Sequence, residues 1–179
     1  MLCNRSWEPR YGVDVLASAF VEASRRDPSL LLLLLSGGSQ AHFIQEILRN
    51  GGAMDRTFFG GQVAQTELPR WYRGADLFVS PSHVDGSSVS LMEALASGLP
   101  VLVSDIPANR EWVRQGVNGW LFPDGDVAGL AERILLIAAA RRQLKPIARA
   151  ARVTAERKAD WEKNFAVLLR TYELAVRLN

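Results

Sequence analysis

The residues best suited to chemistry lie in one stretch, Pro81-Ser-His-Val-Asp-Gly-Ser-Ser-Val-Ser-Leu-Met-Glu93, directly after the apolar run Leu77-Phe-Val-Ser80. It carries two carboxylates, Asp85 and Glu93, separated by seven residues that include Gly86 and three serines. Gly86 lets backbone approach a ligand closely, and Ser87, Ser88 and Val89 open a helix whose free N–H groups point at an anion. A diphosphate is a natural guest for such a turn. A carboxylate one turn into the helix, Glu93, can accept paired hydrogen bonds from a ribose cis-diol, and one on the loop, Asp85, can accept from a sugar hydroxyl. Other readings stand beside these. Ser90-x-x-Glu93 also spells a capping box, Asp85-Gly86 is a common turn pair, and His83 is either a general base or a solvated loop residue.

Such residues need a scaffold, and the flanking periodicity supplies one. Val13, Leu16, Ala17, Phe20 and Val21 recur at helical spacing, and Leu30 to Leu35 forms an apolar run between Pro28 and Gly37-Gly38. A run apolar at every position suits a central parallel strand covered on both faces. The alternation continues: helix Ala41 to Arg49, strand Thr57 to Phe59, helix Glu67 to Arg73, strand Leu77 to Ser80, helix Val89 to Ser97, strand Val101 to Ser104, helix Ala108 to Gln115 and strand Trp120 to Phe122. Short strands alternating with helices predict an α/β fold, a doubly wound parallel sheet with right-handed crossovers. Ligands then sit at the carboxyl ends of the strands, which singles out the loops Arg5 to Gly12, Ser36 to Ser39 and Pro81 to Ser90. Ser36-Gly-Gly-Ser39 is either a turn or a close approach to ligand, and it is not the Gly-x-Gly-x-x-Gly fingerprint. Trp71, Trp112 and Trp120 read as packing residues. From Val127 onward the pattern is helical, with Pro146 interrupting a basic stretch. A final amphipathic segment carries Trp161, Phe165, Leu168, Leu169, Tyr172 and Val176.

Composition narrows the class. A chain of 179 residues is one ordinary domain. A lone Cys3 with His42 and His83 falls short of a disulfide scaffold or a structural zinc site, and no bound metal is expected. No apolar run approaches the length of a bilayer span and no signal-peptide core is evident, so a cytoplasmic, reducing compartment is expected. Asn4-Arg5-Ser6 then matches the glycosylation pattern by chance. Residues 1–140 hold 11 Arg, no Lys and 15 acids, whereas 141–179 hold 10 basic residues and 4 acids. The small net charge of +2 argues against nucleic acid. The basic tail reads either as solvated helices or as a surface facing a partner domain or anionic lipid, with peripheral membrane association as one outcome.

Together these residues carry a resemblance. The stretch Gly74-Ala-Asp-Leu-Phe-Val-Ser-Pro-Ser82, then Asp85-Gly86, Leu91-Met-Glu-Ala-Leu-Ala-Ser-Gly-Leu-Pro-Val101, Ser104-Asp105, Glu111, Asn118-Gly119 and Pro123 resembles the C-terminal domain of family 4 glycosyltransferases. Arg5, Gly12-Val-Asp-Val-Leu16 and Leu130-Ala131 extend the match in the same order. The resemblance implies one Rossmann-like half of a two-domain GT-B fold. The family's hallmark is two glutamates separated by seven residues. Asp85 stands at the first, which faces the donor sugar, and Glu93 at the second, which binds the nucleotide ribose. The family also sets an arginine and a lysine at the donor phosphates. Arg5 matches the arginine, Tyr11 stands where the lysine precedes Gly12, and Arg10 is the candidate to supply the missing charge.

In chemical terms the resemblance implies retaining, metal-independent transfer of a sugar, of hexosyltransferase type, from a nucleotide diphosphate sugar in glycan or polysaccharide biosynthesis. Arg5 and Asp85 are the implied catalytic residues. Arg10, Tyr11, Gly86, Ser87, Ser88, Val89 and Glu93 are the implied donor-binding residues, with no cofactor beyond the substrate. Arg5 and the helix N-terminus stabilise the departing diphosphate. Retention is explained in the family by front-face attack without a protein nucleophile, and no residue is assigned that role. Asp124-Gly-Asp126 matches a metal-binding Asp-x-Asp by spelling only. Residues 1–155 are expected to form the donor-binding domain. Residues 156–179 are expected to form a helix that packs on an absent N-terminal acceptor domain or on a separate subunit. The chain is then a fragment beginning within the first strand of its domain and inactive alone. The alternatives are a naturally split enzyme and a non-catalytic nucleotide-binding or scaffold module.

Overall fold

The computed structural model describes residues 1–177, and six strands in it form one wholly parallel sheet. The strands are β1 (Leu2–Cys3), β2 (Leu32–Leu35), β3 (Thr57–Gly61), β4 (Phe78–Ser80), β5 (Val101–Ser104) and β6 (Gly119–Phe122), in the spatial order β3-β2-β1-β4-β5-β6. Sequential strands step outward from β1 to one edge and then from β4 to the other. The crevice between β1 and β4, at their carboxyl ends, is therefore the topological switch point. The helices are α1 (Val13–Arg26), α2 (Ala41–Asn50), α3 (Leu68–Gly74), α4 (Val89–Ala96), α5 (Pro107–Arg110), α6 (Val127–Ala139), α7 (Leu144–Lys158) and α8 (Trp161–Arg177).

Two hydrophobic clusters, one to each face of the sheet, hold these elements. One joins Val13, Leu16, Ala17 and Phe20 of α1 with Ile44 and Leu48 of α2 and Leu130, Ile134 and Ile137 of α6. The other joins Tyr72 of α3 with Leu91, Ala94 and Leu95 of α4 and Ala151 and Ala155 of α7. Alternate residues of one strand feed opposite clusters, as Phe78 and Val79 of β4 do. A central strand with both faces covered must therefore be apolar throughout, as β5 is across Val101, Leu102 and Val103.

The structure departs from the sequence expectation in four places. The strand expected from Leu30 begins at Leu32, and Leu31 ahead of it is exposed. The helix expected over Ala108 to Gln115 stops at Arg110. Asn118 replaces it with a side-chain-built turn, its Oδ1 accepting from Arg114 N–H at 2.7 Å and its Nδ2 donating to the Trp112 carbonyl at 2.8 Å. Pro146 interrupts nothing: α7 begins at Leu144, so the proline occupies the first turn, where no N–H is needed. The helix after the Asp85 loop is capped by Ser88, whose Oγ accepts from Leu91 N–H. That displaces the Ser90-x-x-Glu93 capping-box reading and leaves the Glu93 carboxylate free for another partner.

Every described residue of α8 is exposed, including Trp161, Phe165, Leu168, Leu169 and Tyr172. Among the described residues no helix is long and apolar enough to cross a membrane.

Candidate functional site

The first loop, after β1, brings Arg5 into the switch-point crevice. Its Nη1 donates to Ser88 Oγ and Ser90 Oγ, each at 2.9 Å, and its Nη2 meets Asp85 Oδ2 at 2.7 Å. The pair is well shielded, with side chains 10% and 16% exposed. One guanidinium thus ties the end of β1 to the loop after β4 and to the first turn of α4. Asp85 also accepts from Gly86 N–H at 3.0 Å, which folds the loop back on itself. Asp85-Gly86 is therefore a turn and an ion-pair partner at once.

Tyr11 shapes the same loop without supplying charge. Its ring lies under the guanidiniums of both Arg5 and Arg10, at 4.2 Å and 4.7 Å from the ring centroid. The aromatic ring therefore gathers a second cation beside the first. Glu8, the nearest acid on that loop, is turned aside: it accepts from Ser39 Oγ and Ser39 N–H, and these bonds hold its carboxyl below the usual range. Through Glu8 and Trp7 the Ser36 to Ser39 loop braces the first loop. Gly38 is required there, because a Cβ would stand 2.6 Å from the Trp7 carbonyl oxygen. Gly38 thus serves a close approach within the fold, whereas a Cβ at Gly37 would meet open space.

Gly12 completes the first loop in the left-handed region, at φ +59°, where α1 begins. A Cβ there would stand 2.3 Å from the Pro81 carbonyl oxygen, so the first and third loops touch backbone to backbone. His83 lies beside it and bonds through Nδ1 to Asp124 Oδ1 at 2.7 Å. His83 is thus hydrogen-bonded to an acid of the last strand loop. The rest of Asp124-Gly-Asp126 is structural, since Asp126 caps α6 by accepting from Gly129 N–H. Among the described residues no group of three or more His, Cys, Asp or Glu side chains is placed to hold a metal ion.

Glu93 is half-buried one turn into α4, where its Oε2 accepts from the Tyr72 hydroxyl at 2.9 Å. It borders a cleft between α3 and α4 lined by Gln65, Leu68 and Pro69. Asn4 Nδ2 donates to the same Tyr72 oxygen at 2.8 Å. The Asn4 side chain is thus tied to the hydroxyl that Glu93 also engages. Of the sequence-derived candidates, Arg5, Asp85, Ser88, Tyr11 and Arg10 meet in one cluster. Glu93 stands beside it, and Gly86, Ser87 and Val89 form the exposed rim of the turn. Sequence reasoning missed Tyr72 and Asn4, whose partners lie 21 and 68 positions away. No local spacing signals either.

The fold and this cluster define a class: a doubly wound α/β domain whose switch-point crevice gathers two arginines and two carboxylates. The family model described as "Glycosyl transferases group 1" matches residues 1–139. The phosphatidyl-myo-inositol mannosyltransferase of Mycobacterium leprae is 33% identical over 176 residues, covering 97% of this chain and 46% of that protein. The Anabaena protein HepE, solved in complex with UDP, superposes with a TM-score of 0.88 at 21% identity, over 96% of this chain and 48% of that one. The C-terminal domain of a group 1 glycosyl transferase from Francisella tularensis superposes with a TM-score of 0.80 at 20% identity, over 89% of this chain and 86% of that one. The chain belongs to the group 1 glycosyltransferase family and covers its C-terminal, Rossmann-like portion. It spans about half the length of the mycobacterial relative.

Proposed function

We propose that the chain binds the nucleotide diphosphate sugar donor of a retaining, metal-independent glycosyltransferase engaged in glycan synthesis. The observation that carries this reading is the Arg5–Asp85–Ser88–Ser90 cluster, which bridges β1 and β4 at the switch point, where doubly wound sheets take their ligands. The UDP held by the Anabaena relative and the mannosyl transfer named for the mycobacterial one accord with it.

The residues divide the donor between them. Arg5 receives the diphosphate with the open N–H groups at the start of α4, and Arg10, held over Tyr11, takes the place of the family's lysine. As the sugar–phosphate bond breaks, negative charge grows on the leaving diphosphate. A guanidinium already fixed by three hydrogen bonds meets that charge without reorganising. Asp85 orients the guanidinium and offers its remaining lone pairs to a sugar hydroxyl. Its shorter side chain, one methylene less than glutamate, is compensated by direct pairing with Arg5. Glu93 accepts the ribose diol. No side chain in the cluster is assigned as a nucleophile.

The acceptor site lies outside this chain in this reading, and the chain alone is inactive. The exposed apolar side chains of α8 support a further domain or a partner subunit as its cover. Arg5→Ala tests the proposal: it should weaken nucleoside diphosphate binding at least tenfold, and unchanged affinity would overturn the assignment of the crevice.

A further inference from the structure

Glu93 can bind a diol only if its carboxylate is aimed, and nothing on α4 aims it. The side chain has three rotatable bonds and is half-buried, and the capping position that would have tied it down belongs to Ser88. What fixes it comes from elsewhere in the fold. The Tyr72 ring is buried on the underside of the crevice, edge-on to Phe78 of β4 with centroids 6.0 Å apart. Its hydroxyl reaches up to Glu93 Oε2 at 2.9 Å, with the Ser90 carbonyl at 3.4 Å. A phenol has one proton to give. Asn4 Nδ2, donating into the same oxygen at 2.8 Å, occupies a lone pair and turns that proton toward the carboxylate.

We propose that Tyr72, set by Asn4, is a positioning residue that holds the Glu93 carboxylate in the orientation that receives the ribose diol. This inference rests on the reading of Glu93 as the ribose acceptor. Anchoring through Oε2 alone leaves Oε1 and the second lone pair of Oε2 for the two ribose hydroxyls. Burial first, and then the Glu93 charge, push the phenol's pKa far up, so the hydroxyl remains a donor. The chain also couples the two ends of the donor. Asn4 and Arg5 are consecutive, one leading through Tyr72 to the ribose carboxylate and the other directly to the diphosphate side of the crevice. A shift of the first loop therefore moves both contacts together.

The test separates aiming from mere stability. The wild-type chain, Tyr72→Phe, Glu93→Gln and the double variant are titrated calorimetrically with UDP, GDP and ADP, and with the 2′,3′-dideoxy counterpart of whichever binds. Tyr72→Phe should weaken the ribonucleotide about three- to tenfold, leave the dideoxynucleotide within about twofold, and add nothing in the Glu93→Gln background. Asn4→Ala, which keeps the phenol, should give a smaller loss confined in the same way to the ribonucleotide. Equal weakening of both nucleotides, additivity with Glu93→Gln, or no effect of Tyr72→Phe overturns the positioning role while leaving the donor reading intact. Failure of the wild-type chain to bind any of the three nucleotides overturns the donor reading and this inference with it.

Discussion

Gly12 shows how tightly the crevice is drawn. The residue is left-handed, and the missing Cβ is what lets the first loop lie against the Pro81 carbonyl. Gly12→Ala imposes both a left-handed backbone on a side chain and a contact of 2.3 Å with backbone that cannot yield cheaply. The expected loss is about 2–4 kcal/mol of unfolding free energy, read from urea denaturation. A loss under about 0.5 kcal/mol would mean that the two loops are not held together as described. The Arg5–Asp85 pair belongs at the same scale. Removing either charge leaves the other stranded in a shielded site, so Asp85→Ala should destabilise by about 2–3 kcal/mol in the same assay, whereas a neutral result would show the pair to be solvent-bridged. Sequence exposed these positions unevenly. Asp85, Ser88 and Glu93 were legible as candidates because each sits in one loop or helix start whose chemistry is local, whereas Arg5 is singled out only by the family resemblance. Tyr72 was not legible, because a buried tyrosine on an apolar helix face looks like packing until the fold brings Glu93 over its hydroxyl.

At the scale of elements, β1 bears the most weight for its length. It is two residues long, pairs with both β2 and β4, and launches Arg5. Both its side chains are fully buried, and burial pushes the Cys3 thiol from 9.0 up to about 11. The unfolded chain therefore releases this proton first. Stability from Cys3 is complete below pH 9 and is lost as pH rises toward 11, by about 2–3 kcal/mol in all. Urea unfolding at pH 8 to 11 should show that loss in the wild type relative to Cys3→Ala, and parallel profiles would contradict the burial of β1. From α1 onward the order and type of the alternating elements were legible because central strands must be apolar throughout, whereas β1, two residues long, is too short to show a periodicity of its own. Element ends were less legible. Asn118 ends α5 with side-chain hydrogen bonds, and Ser88, two residues ahead of the serine that fits the capping pattern, caps α4. In both places a side chain competes with the backbone for the same hydrogen bonds, and only the packed structure decides between them.

For the whole molecule, two hydrophobic clusters close around the sheet without α8, whose described residues are all exposed. Deleting residues 161–179 should accordingly change the unfolding free energy by less than about 1 kcal/mol, and a collapse of cooperative unfolding would show that the helix belongs to the core. The sheet order places the ends of β1 and β4 side by side, and the first loop and the Asp85 loop meet there through Arg5. Every residue role proposed for the crevice depends on that meeting point being a nucleotide site. The direct test is calorimetric titration of the chain with UDP, GDP and ADP, together with Arg5→Ala and Glu93→Ala. One nucleotide should bind, and both substitutions should abolish or severely weaken its binding. Binding that neither substitution alters, or no binding of any of the three, would contradict the assignment.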